Sequence, residues 1–176
     1  MGRKKLGDFM KSIYLIGFMG SGKTTIGKKL GQFLKLPVID SDEEISRLTG
    51  KTITELFDVD GEAAFRLLET ECLRDLPVED SIITTGGGII LLEENRNWMR
   101  KNGVVVLLAA SPEEILKRLE GDKTRPLLKN DKQTKVAKIL DERMPLYLNA
   151  ADIIIDTTNK TVEAIVEELV KRLKFV

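Results

Sequence analysis

The sequence contains no histidine, and that absence removes several chemistries at once: no Ser-His-Asp triad can form, and no histidine can hold zinc. A general base has to be a carboxylate or, failing that, a lysine or tyrosine. Cysteine is nearly absent as well. The single Cys72 excludes an internal disulfide and a cysteine metal cluster, and its neighbours Leu68, Leu73 and Leu76 mark it as a small core residue. Net charge is missing too: 28 basic and 28 acidic residues cancel, so no surface for nucleic acid or an anionic membrane is expected. No apolar run is long enough to span a bilayer, and the basic stretch from Met1 to Ser12 has no apolar signal core. Leu6 stands where a myristoylation signal requires Ser or Thr. A cytoplasmic protein is expected.

What is present is one domain's worth of chain, 176 residues, organised around the stretch from Ile13 to Thr25. An apolar strand runs there into a glycine-rich turn and then a helix. Gly17, Gly22, Lys23 and Thr24 match the spacing G-x-x-x-x-G-K-(S/T). Glycines allow successive N–H groups to converge on phosphate oxygens, and the following helix adds its positive end. The turn Gly20-Ser21-Gly22-Lys23-Thr24-Thr25 is therefore expected to hold nucleotide phosphates, with Lys23 on the β/γ-phosphates and Thr24 on the accompanying Mg²⁺. A chance strand-to-helix turn is the alternative. Against it stand the buried-strand pattern before the turn and the helical spacing of Ile26, Leu30, Phe33 and Leu34 after it.

Further strands are expected at Leu36–Ile39, Ser81–Thr85, Val104–Leu108 and Ile153–Ile155, alternating with helices. Ser111 and Pro112 read as an N-cap followed by proline at the first helical position. The charged, aperiodic run from Glu120 to Lys135 reads as a loop, and helix resumes through Ile139 to about Tyr147. The pattern is α/β, a parallel sheet of five strands covered on both sides. Ligands of such sheets bind outside the carboxyl ends of the strands, which makes the residues there the candidates.

At the end of the second strand lie Asp40 and Asp42. In extended backbone that spacing points both carboxylates to one side, so Asp40 can serve magnesium through water and Asp42 can accept a proton from an attacking hydroxyl. Alternatively Asp42 or Ser41 only caps a helix beginning at Glu43. Gly86, Gly87 and Gly88 end the third strand, either as a flexible turn or as backbone that approaches a ligand closely. The strand itself carries Thr84 and Thr85 where many nucleotide-binding enzymes place an aspartate. Arg66, Arg125 and Arg143 are each ordinary surface residues when taken singly; beside a phosphate cradle they suit a carboxylate or a transferring phosphoryl group.

Taken together, the cradle GFMGSGKTT and the phrases DSD, FR, GGG, RPLL and RMPLY come in the order and approximate spacing of the shikimate kinases. From about residue 12 to the C-terminus the chain resembles that family. The resemblance implies a single P-loop kinase domain over residues 1–176: a three-layer α/β/α fold with a mobile lid at about 117–132. It implies transfer of the γ-phosphoryl group of ATP to the 3-hydroxyl of shikimate, a step of chorismate and aromatic amino acid biosynthesis. Asp42, Arg66, Gly87 and Arg143 match the substrate-binding positions, with Asp42 the candidate base, and Glu69 matches a glutamate that helps hold the substrate and its arginines. Lys23 and Arg125 match phosphate-stabilising positions, Thr24 and Asp40 the magnesium side, and Arg118 an arginine that stacks on adenine. A monomer is expected. The loop from Asp156 to Thr161 lacks a proline that some members place against adenine. Rival readings are another small-molecule P-loop kinase, such as a gluconate kinase, and an inactive nucleotide-binding regulator.

Overall fold

The most apolar stretches become the inner strands of one parallel sheet. The structure, a computed structural model, describes residues 10–120 and 132–174. In chain order the elements are β1 (Ser12–Ile16), α1 (Lys23–Leu34), β2 (Val38–Asp40), α2 (Ser41–Thr49), α3 (Ile53–Val59), α4 (Gly61–Asp75) and β3 (Ile82–Thr84). A single 3₁₀ turn at Ile89–Leu91 follows, then α5 (Glu93–Asn102), β4 (Gly103–Ala109), α6 (Pro112–Arg118), α7 (Lys132–Ala150), β5 (Ile153–Asp156) and α8 (Val162–Leu173). The strand order is β2-β3-β1-β4-β5, and every pairing is parallel.

Alternation along the strands divides the core into two layers, because successive side chains of a strand point to opposite faces. Ile13 and Leu15 of β1, with Val106 and Leu108 of β4, face α1 and α8 and pack with Ile26, Leu30, Ile165 and Leu169. Tyr14 and Ile16, with Val105 and Leu107, face the opposite way and pack with Leu73, Met99 and Tyr147 of α4, α5 and α7. Cys72 is buried in this second layer as expected. Both faces of β1 and β4 are thus covered, which explains their unbroken apolar runs.

Three local expectations are corrected. The second strand covers Val38–Asp40, and α2 starts at Ser41 rather than Glu43, because the Asp40 carboxylate accepts from the N–H groups of Asp42 and Glu43 and so starts the helix two residues earlier. Helix α7 begins at Lys132 and continues to Ala150, so the last residues assigned to the charged loop are helical. Phe33 is 62% exposed. Helix α1 meets the sheet through Gly27, where a Cβ would come within 2.5 Å of Thr84 Cγ2, and through Gly31, which lies against Val38. That close approach turns the buried arc of the helix away from Phe33. Among the described residues, no helix is long and apolar enough to cross a membrane.

Candidate active site

The cradle is built by glycine conformations closed to other residues. Gly17, Gly20 and Gly22 have φ of 147°, 77° and 97°, and a side chain at Gly17 would also meet the Leu108 carbonyl oxygen at 2.5 Å. The Ser21 N–H closes the turn on the Phe18 carbonyl at 3.1 Å. Lys23 folds back along it, donating from Nζ to the carbonyls of Gly17 at 2.8 Å and Phe18 at 2.9 Å. In front of the turn is an open cavity of about 800 Å³ whose lining includes Gly20, Gly22, Lys23, Thr24, Asp40 and Asp42. Ser21 is buried in the turn and Thr25 is exposed on α1; neither lines this cavity.

The aspartates reach the cavity by a different route from the one their spacing suggested. Only Asp40 is extended; Asp42 lies in the first turn of α2, so strand alternation does not apply to the pair. The Asp40 Oδ1 accepts the two capping N–H groups, while Oδ2 accepts from the Thr84 hydroxyl at 2.7 Å. Thr84 therefore holds the carboxylate at the cavity's edge, beside Thr24. The donors present are a hydroxyl and a carboxylate, both hard oxygens. Among the described residues no group of three or more His, Cys, Asp or Glu could enclose a metal ion. The set fits a magnesium ion that keeps several waters and takes other ligands from phosphate.

A second open cavity, of about 550 Å³, adjoins the first. Met19, Asp42, Gly86 and Gly87 line both. Its far side carries Arg66 and Glu69 from α4 and Arg143 from α7, with Phe57 and Phe65 as the apolar wall. The two rings lie 4.7 Å apart, and the Arg66 guanidinium sits over them, 5.7 Å from Phe57 and 5.2 Å from Phe65. Arg66 Nη1 donates to Glu69 Oε2 at 2.6 Å and Nη2 to Glu62 Oε1 at 3.1 Å. Arg143 Nη1 donates to the Gly87 carbonyl at 3.4 Å, and Tyr147, one turn later, donates its phenol to the same oxygen. Burial pushes the Tyr147 phenol above its ordinary range, despite the lowering pull of Arg143, so it remains a donor.

Glycines are required here for close approach. A Cβ on Gly86 would come within 2.7 Å of Asp42 Oδ1 and 2.9 Å of Glu69 Oε1, and one on Gly88 would overlap the Arg66 guanidinium. The triplet is thus the floor on which both carboxylates and the arginine rest. Glu69 is buried, and desolvation raises its pKa from 4.5 to about 7; Arg66 opposes that shift, Asp42 adds to it and Arg143 opposes it.

Arg118 lies behind the cradle, where it bonds to the turn and to Thr157 at the end of β5. Arg125 and most of the lid expected at 117–132 lie outside the described residues; Lys117 and Arg118 end α6. Sequence reasoning missed Met19, Phe57, Tyr147 and Thr157 as parts of the site. Tyr147 carried a signal, since it follows Arg143 by four residues and so shares its helical face. Thr157 carried none, because its partner Arg118 is 39 residues away.

The family model described as shikimate kinase matches residues 19–174. A protein of Bacillus cereus named shikimate kinase is 52% identical over 165 residues, covering 93% of this chain and 99% of that protein. One from Caldicellulosiruptor bescii with the same name is 47% identical over 163 residues, 92% of this chain and 94% of that protein. Among solved structures, shikimate kinase from Acinetobacter baumannii in complex with shikimate superposes with a TM-score of 0.90 at 37% identity, covering 93% of each chain. The shikimate kinase of Aquifex aeolicus gives 0.78, also at 37% identity, over 93% of this chain and 96% of that one.

Proposed function

Because the chain belongs to the shikimate kinase family and is an ATP-dependent phosphotransferase, we propose that its two joined cavities carry out one reaction: the γ-phosphoryl group of ATP passes to the 3-hydroxyl of shikimate, giving shikimate 3-phosphate and ADP. The observation that carries this reading is Asp42, which lines both cavities. On one side are Lys23 and Thr24, suited to phosphates. On the other are Arg66 and Arg143, two buried guanidinium groups suited to the one carboxylate of shikimate. A hydroxyl held between them meets Asp42 at the boundary.

The division of labour follows. Backbone N–H groups of the turn and the Lys23 ammonium bind and orient the phosphate chain. Arg66 and Arg143 fix the acid group, and Phe57 and Met19 offer apolar surface to the ring. Asp42 orients the attacking hydroxyl and takes its proton, since among the described residues it is the one carboxylate that lines both cavities. Thr24 and Asp40, the latter positioned by Thr84, would hold magnesium, which when bound neutralises charge on the phosphate oxygens. The family resemblance gives Arg125 the task of stabilising the transferring group, and loss of kcat in Arg125→Ala tests it. We propose action as a monomer, to be checked by sizing in solution; dependence on ATP supports a cytoplasmic setting.

The purified protein, supplied with magnesium and ATP, is expected to release ADP only when shikimate is added, with shikimate 3-phosphate appearing in equal amount by mass spectrometry. Gluconate and AMP are expected to be poor acceptors. ADP release independent of shikimate, or faster with gluconate, would overturn the reading.

A further inference from the structure

Outside the lining of the phosphate cavity, one guanidinium group gathers two carbonyls of the turn. Arg118 Nη1 lies 3.3 Å from the carbonyl oxygens of both Gly20 and Ser21 and 3.1 Å from Thr157 Oγ1. Its Nη2 donates to the Thr157 carbonyl at 2.9 Å, and its Nε to Glu114 at 2.9 Å. Thr157, fully buried, is itself fixed: its hydroxyl donates to the Ala109 carbonyl at 2.9 Å, as does its N–H at 2.8 Å. The C-terminal turn of α6 rests on the cradle as well, since a Cβ on Gly20 would come within 3.1 Å of Leu119. Each edge of the Arg118 plane is therefore engaged with protein.

Peptide geometry ties these interactions to where the cradle's N–H groups point. Across a trans peptide the carbonyl of one residue and the N–H of the next are antiparallel. Holding the Gly20 carbonyl outward turns the Ser21 N–H into the loop, where it closes on Phe18 at 3.1 Å. Holding the Ser21 carbonyl outward turns the Gly22 N–H away from Arg118, toward the phosphate side. A cation on the carbonyl also polarises the peptide and makes that N–H a stronger donor. With φ of 77° and 97°, Gly20 and Gly22 have wide conformational freedom when unrestrained, so an external restraint adds to the bonds that Ser21 and Lys23 make within the turn.

We propose that Arg118 and Thr157 form a clamp on the back of the cradle that sets its phosphate-accepting shape, so that both residues govern affinity for the polyphosphate chain itself and not only for the nucleotide base. They are positioning residues, acting through the backbone of the turn. The proposal rests on the nucleotide-binding reading above and departs from a role confined to stacking on adenine. A stacking arginine matters only when a base is present. A clamp matters equally without one.

The discriminating probe is magnesium tripolyphosphate, which has the phosphate chain and no base. Its dissociation constant and that of an unhydrolysable ATP analogue are to be measured by calorimetry on the wild type, Arg118→Met, Thr157→Val and Thr157→Ser, with shikimate binding and thermal melting recorded on each. Arg118→Met is expected to weaken both ligands by a similar factor, about tenfold or more, because methionine cannot make the charge-assisted hydrogen bonds that hold the turn. Thr157→Val is expected to weaken both by roughly three- to tenfold, and Thr157→Ser, which keeps the hydroxyl, to restore them. Shikimate affinity is expected to stay within about twofold throughout, which a general loss of folding would not allow. Unchanged tripolyphosphate binding in Arg118→Met alongside weakened ATP-analogue binding would overturn the clamp in favour of stacking. So would equal behaviour of Thr157→Val and wild type, or a wild type that binds the analogue and no tripolyphosphate. Failure of the functional reading looks different: the folded wild type would then form no shikimate 3-phosphate.

Discussion

Glu69 and Arg66, three residues apart on α4, meet at 2.6 Å beneath the glycine triplet, and the second oxygen of the buried Glu69 carboxyl faces Gly86 beside Asp42. The pair is more than an ion pair on a helix. Burial outweighs the attraction of Arg66 and raises the Glu69 pKa to about 7, with Asp42 contributing in the same direction.

The sign of that shift gives a stability prediction. Glu69 holds its proton more tightly in the folded chain than at its ordinary pKa of 4.5, so its contribution to stability is complete below that pH and is lost as pH rises through about 7. Glu69→Gln lacks this component. In urea unfolding at about pH 5 and about pH 8, the wild type is expected to lose stability relative to the variant as pH rises. An opposite sign contradicts the assignment.

Arg66→Lys retains charge and loses the planar fork. The shikimate KM is expected to rise by roughly 10- to 100-fold, as when one charge-assisted hydrogen bond is removed, while the KM for ATP stays close to wild type. Steady-state kinetics with each substrate varied in turn decide it. A wild-type KM for shikimate would remove Arg66 from acid recognition.

Asp42→Asn keeps shape and removes the base. At saturating shikimate, kcat is expected to fall by about two to four orders of magnitude, with ADP binding to the cradle preserved. Near-normal turnover would leave Asp42 as an ordinary acidic residue in the first turn of α2.

Gly88→Ala inserts a methyl group where the Arg66 guanidinium lies. Because Glu69 and Glu62 pin that group, it has little room to move aside. The variant is expected to bind shikimate roughly tenfold or more weakly in calorimetry and to bind ATP normally. Unaltered shikimate affinity would show that Arg66 can move at no cost.

The cradle was legible in the sequence because its chemistry is contiguous: the spacing of Gly17, Gly22 and Lys23 is itself the geometry. The acid pocket was legible only through phrases scattered along the chain, since nothing local brings Arg66 beside Gly88 or Arg143 onto Gly87. Asp40 and Asp42 were found and their backbone misread. Capping by the Asp40 carboxylate converts the next residue into helix, and a two-residue alternation has no way to reveal that. Phe33 shows the reverse error: helical periodicity implies a buried face but does not say where it points, and Gly27 and Gly31 decide that by letting α1 come close to the sheet. The strand order came from pairing across the fold, to which no single stretch testifies.

Among the described residues, Met19, Gly86, Gly87 and the one carboxylate of Asp42 form the boundary that the two cavities share. A partition made mostly of backbone and one flexible thioether is thin, and it leaves the two compartments connected. A single molecule bearing an acid head for the two arginines and a polyphosphate tail for the glycine turn therefore has a continuous path through the protein. Tethering makes its second binding event intramolecular, so such a molecule can outbind either half by about 10²- to 10⁴-fold where its linker matches the span. The narrowness that lets a hydroxyl meet a phosphoryl group also makes this the natural point of attack for a bridging inhibitor.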